Sequence, residues 1–95
     1  MDKEYLDHAI KTEPNDPEAY NLYGNLSLIK EDYKIAEGYF KKAIFLDENY
    51  FKNYYDLALA YIGLKDNKKA KVALDKSLEL QNDFKPALDL KESLK

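Results

Sequence analysis

The chain has 95 residues, a formal net charge of −3, 45% hydrophobic side chains, three Gly and three Pro, enough for one modest core and too few turn formers for a β sandwich. It has no Cys, which excludes a disulfide framework and a Cys zinc site. Its 15 basic residues are all Lys, so it lacks the Arg fork that grips phosphate and guanine. The opening "MDKEYLDHAI" is acidic where a leader needs a basic start, and no run approaches the roughly 20 apolar residues that span a bilayer. Neither nucleic acid nor a membrane is an expected partner, and the cytoplasm is the default compartment.

In chain order, the pattern predicts a first helix from about Lys3 to Lys11. A second begins at Pro17, a residue suited to a first helical turn, with Asp16 as N-cap. In "PEAYNLYGNLSLIK", Tyr20, Tyr23, Gly24 and Ser27 share one stripe at helical spacing. "EDYK" breaks the run, Asp32 can cap the next helix, and Ala36, Tyr39, Phe40, Ala43 and Ile44 line one face of it. The pattern then returns. Tyr54, Leu57, Ala58 and Tyr61 form a stripe, "KDNK" breaks it, and Ala70, Ala73, Leu74, Ser77 and Leu78 follow. A last helix runs from about Pro86 to Leu94.

Residues 17–50 laid over 51–84 keep Tyr20/Tyr54, Asp32/Asp66, Lys34/Lys68, Ala36/Ala70, Lys42/Lys76 and Leu46/Leu80. The same shift relates Tyr5, Ala9 and Ile10 to Tyr39, Ala43 and Ile44, and twice that shift relates Ala19, Leu22 and Leu26 to Ala87, Leu90 and Leu94. The small slots place Gly24 against Ala36, and Ala58 against Ala70, where paired helices approach. The expected fold is all-α, an α-solenoid of antiparallel hairpins with about six helices. One domain, 1–95, divides into a half repeat (2–12), two repeats (17–50 and 51–84) and a C-terminal capping helix (85–95).

This arrangement resembles the tetratricopeptide repeat family. Tyr20 and Tyr54, followed by Tyr23-Gly24 and Leu57-Ala58, look like its W-x2-L-G signature; Ala36, Phe40 and Ala43, then Ala70, Leu74 and Ser77, match its second helix. Pro14 falls at the family's turn proline, while Glu48 and Asn82 replace it in the two repeats, and Ser27 stands where an aromatic is usual. The resemblance implies a right-handed superhelical stack whose first helices line a concave groove, and a non-enzymatic module that binds a peptide or helix of a protein partner, as an adaptor or scaffold does. No cofactor or metal is expected.

The groove candidates are side chains that the packing stripe leaves over. Asn21, Asn25 and Leu28 form a second line on the first helix of one repeat, and Tyr55, Leu59 and Ile62 the same line in the next. A helix apolar all round, as "YYDLALAYI" nearly is, either sinks into a core or offers a face to a partner; the alternative is that Tyr55 and Leu59 pack on the last helix. Asn21 and Asn25 can each donate to and accept from an extended peptide backbone, or stand solvated. Lys52 and Glu18 sit at the rim, and Tyr50 and Phe84 either edge the groove or enter the core. One subgroup of the family clamps a C-terminal carboxylate with Lys, Asn and Arg; here only Asn25 matches, while Asn21, Asp56, Pro86 and Leu90 replace the other groups.

Other signals read as background. Lys65–Lys71 is a solvated charge run, His8 a helix-surface residue, and Asp47, Glu48 and Asn49 lack the spacing of a calcium loop. Ser27, Ser77 and Ser93 have no base at a motif spacing. The ends differ: Lys91 and Glu92 read as a polar cap, whereas Tyr5, Leu6 and Ile10 leave apolar surface uncovered. A second expectation is therefore an assembly piece, a possible homo-oligomer stacked through its N-terminal helix, or a fragment of a longer array.

Overall fold

A computed structural model describes residues 15–94. Among them are five α-helices and no strand: α1 (Pro17–Ile29), α2 (Tyr33–Leu46), α3 (Phe51–Gly63), α4 (Asn67–Leu80) and α5 (Lys85–Ser93). The predicted Lys3–Lys11 helix, the 2–12 half repeat, His8 and the Tyr5, Leu6 and Ile10 face lie outside the described residues. α1 packs on α2, α3 on α4, and α2 on α3, so the expected chain of hairpins is borne out.

The core is a row of small residues with a few large ones set between them. Ala36, Phe40, Ala58, Ala60, Ala70, Leu74 and Ala87 have no exposed surface. Phe40 sits closer to α1 than the spacing of small residues implied. A Cβ built on Gly24 would lie 2.6 Å from the Phe40 ring, so Gly24 accommodates that ring rather than Ala36 alone. Ala36 and Phe40 are one turn apart on the same stripe, and the larger side chain reaches further across the gap. A second close approach has no counterpart in the sequence reading: the Tyr33 ring lies against the backbone of Gly63 and leaves no room there for a side chain.

Both hairpin turns end their first helix in the same way. Glu31 and Lys65 are left-handed (φ 61° and 63°), and their N–H groups donate to the carbonyls of Leu28 and Ile62. The next N–H groups, of Asp32 and Asp66, reach back to Ser27 and Tyr61 at 2.9 Å. This double closure satisfies the last carbonyls of the helix and reverses the chain. The caps that follow differ. Asp66 accepts from Lys69 N at 3.1 Å, whereas the Asp32 side chain makes no cap hydrogen bond, contrary to its predicted role. At α1, Asp16 caps as expected by accepting from Glu18 N at 3.0 Å.

Candidate functional site

α1, α3 and the first turn of α5 form one side of the molecule, and two open concavities there share Asn21 and Tyr50. The first, about 520 Å³, lies between Asp16, Glu18 and Leu22 on one wall and Asp47 and Asn53 on the other. The second, about 420 Å³, is lined by Asn25, Lys52, Tyr55 and Asp56 and closed by Phe84 and Pro86. Together they make a groove across the first helices of successive hairpins.

Its floor is a polar network between α1 and α3. Asn21 Nδ2 donates to Asn53 Oδ1 at 2.7 Å and to Asp56 Oδ2 at 3.0 Å. Asn25 Nδ2 donates to the Asn21 backbone carbonyl at 2.9 Å, to Asn21 Oδ1 at 3.0 Å and to Asp56 Oδ2 at 3.3 Å. Asn53 is only 1% exposed, a position a polar side chain tolerates only when paired. Asp56 Oδ2 therefore holds two amide donors, no described residue donates to its Oδ1, and no described side-chain polar atom is buried without a partner. Burial pushes the Asp56 carboxyl above its ordinary range, against the opposing pull of the Asn21 and Asn25 hydrogen bonds and the nearby Lys52 charge.

Aromatic rings make the wall toward α5. Phe84 is met edge-on by Phe51 (4.8 Å between centroids) and by Tyr55 (5.2 Å), and Tyr50 leans on Phe51 at 5.7 Å. Edge-to-face contacts of this kind fix ring orientation as well as bury area. Burial, and then the charge of Asp56, push the Tyr55 phenol up, so the ring is neutral beside the carboxylate.

Of the residues chosen from sequence, Asn21, Asn25, Lys52 and Tyr55 come together around the second concavity. Leu28 and Ile62 are half-buried and lean on the core cluster, and Leu59 is half-buried without lining either concavity. The Asn21 and Asn25 amide donors face Asn53 and Asp56. Tyr55 packs on Phe84, just ahead of the last helix, and still lines the concavity. The sequence reading missed Asn53 and Asp56 as floor residues. Their signal was available: a buried-stripe position held by Asn, and one carboxylate in an otherwise apolar run.

The opposite side of the molecule treats a carboxylate differently. Glu37, only 5% exposed, takes Lys34 Nζ at 2.9 Å and Lys41 Nζ at 3.1 Å. Burial would raise its carboxyl, but hydrogen bonds from Lys34, Lys41 and Tyr61 outweigh that and hold it at about 2. Among the described residues no cluster of acids and histidines is placed to hold a metal ion, and no helix is long and apolar enough to cross a membrane.

Two family models, each described as a tetratricopeptide repeat, match residues 5–38 and 51–84. No curated protein sequence matches significantly. Among solved structures, that of MamA superposes with a TM-score of 0.90 at 24% identity, covering 96% of this chain and 53% of the other. The first TPR of Spaghetti (RPAP3), bound to the HSP90 peptide SRMEEVD, gives 0.90 at 19% identity, covering 94% and 72%. YrrB, titled a TPR protein with an unusual peptide-binding site, gives 0.89 at 26% identity, covering 94% and 46%. The chain thus spans about half the length of the MamA and YrrB chains it matches.

Proposed function

The chain belongs to the tetratricopeptide repeat family, and from that premise we propose that it is a binding module whose groove along α1, α3 and the start of α5 takes an extended segment of a partner protein. The family is generally one of non-enzymatic protein-interaction modules, which sets the class. The observation that carries the finer reading is the pair of concavities joined at Asn21 and Tyr50 on the first-helix side. Peptide occupancy in the RPAP3 neighbour and the peptide-binding site named for YrrB support the same reading. An adaptor role in the cytoplasm is the setting that fits it.

The mechanism is preorganisation. Phe84, Tyr55 and Phe51 hold one another, and the Asn21–Asn25–Asn53–Asp56 network ties α1 to α3, so the ligand bears most of the ordering cost. Asn25 and Tyr55 supply polar and aromatic contacts, Lys52 marks the rim, and Leu28, Leu59 and Ile62 extend the apolar side. The test is capture of a partner from lysate, its identification, and titration of its interacting segment into labelled protein. Chemical-shift changes at Asn21, Asn25 and Tyr55, and loss of binding in Tyr55→Ala with the fold intact, are the expected results. Changes confined to α2 and α4 overturn the groove assignment.

A further inference from the structure

The charges around the groove are lopsided. Among the described residues, Asp16, Glu18 and Asp47 line the first concavity and Asp56 the second, against Lys52 alone. Lys52 is exposed at the rim, and no lysine is within ion-pairing distance of Asp56 among the described residues. The contrast with Glu37 is chemical. That carboxylate is closed off by two cations of its own chain, whereas among the described residues Asp56 receives only neutral amide donors, on Oδ2, and no donor on Oδ1. Asn21 and Asn25 would be served equally well by an amide oxygen at position 56, at no cost of burying charge. A half-buried carboxylate retained where an amide would do, and walled by aromatic rings, is the composition that receives a cation: the rings present negative faces and the carboxylate a charge-assisted acceptor.

Resting on the groove reading above, we propose that the groove selects a basic segment: an extended peptide whose lysine or arginine side chain passes between Tyr50, Tyr55 and Phe84 and ends on Asp56 Oδ1. Further basic residues of the same segment run toward Asp47 and Glu18. The amide network holds the carboxylate in place, and the surrounding carboxylates repel an acidic ligand more than Lys52 attracts it. The preference is the reverse of a carboxylate clamp.

The test uses capped peptide pools of one length, with a single fixed position held as Arg, citrulline or Glu and all others randomised over uncharged residues. These are titrated into isotope-labelled full chain. The Arg pool binds at least about tenfold tighter than the citrulline pool, as a charge-assisted hydrogen bond requires, with shifts centred on Asn25, Tyr55 and Asp56. Asp56→Asn removes that difference while melting no lower than the parent. Equal affinity for Arg and citrulline, preference for Glu, or a preference that survives Asp56→Asn overturns the inference. Should Asp56→Asn fail to fold, Lys52→Glu at the exposed rim carries the test: it must enlarge the Arg preference, and an unchanged ratio counts against the proposal. If all pools shift the groove residues equally, the groove reading stands and charge selection falls. If none shifts them, both fall.

Discussion

The two hairpins, 17–46 and 51–80, share a backbone plan but fill it with different side chains. Where α1 meets α2, Gly24 faces the ring of Phe40; where α3 meets α4, the equivalent positions are Ala58 and Leu74, both fully buried. A larger partner is matched with a smaller one, so what the repeat keeps is the volume of the pair rather than either residue. On the outer side, Glu37 of the first hairpin is buried between Lys34 and Lys41, while its counterpart Lys71 is exposed. On the groove side, Asn21 and Asn25 are answered by Tyr55 and Leu59. The repeat specifies where helices lie, and the departures from it specify what each surface does.

The largest effect is expected from making the first hairpin resemble the second. Gly24→Ala is expected to destabilise the fold by about 1–3 kcal/mol through overpacking against a ring that cannot move outward. On an unhindered helix the same change would gain nearly 1 kcal/mol. Gly24→Ala with Phe40→Leu reproduces the second hairpin and should recover most of the loss. A chemical-denaturation double-mutant cycle reads the coupling, and strictly additive losses would show that the pair does not share one space.

Next in size is the outer carboxylate. Glu37→Gln should cost about 2 kcal/mol at neutral pH, the scale of a buried charge-assisted hydrogen bond, whereas Lys71→Gln should be near neutral. The sign with pH follows from the direction of the shift. Glu37 is lowered from 4.5 to about 2 on folding, so its contribution is full above the unfolded value and is lost as pH falls through about 2. Denaturation curves of parent and Glu37→Gln should therefore converge across that acid window. Asp56 acts in the opposite sense. Its raised pKa means a cost present at neutral pH, which is relieved as pH falls through the folded value.

The smallest contrast lies at the turns. Asp66→Ala loses a side-chain cap and should cost about 1 kcal/mol; Asp32→Ala loses none and should stay within about 0.5 kcal/mol. Thermal melts of the two variants side by side measure the difference, and equal losses would mean that Asp32 reaches a backbone donor in solution.

The period, the five described helices, their turns and most of the core were legible in the residue pattern alone. Ala36, Phe40, Ala58, Ala70 and Leu74 are all where helical spacing put them, because a stripe at i, i+3, i+4 reports the buried face of its own helix. The pattern also brought Asn21, Asn25, Lys52 and Tyr55 to one surface, since residues left off that stripe must face elsewhere. What those groups meet was not legible there. That the Asn21 and Asn25 donors turn to Asn53 and Asp56, that Glu37 is sealed by lysines, and that Tyr33 lies on Gly63 all depend on how one helix is set against another. The period of a single helix carries no information about the offset and approach of its neighbour, and these contacts are made of that offset.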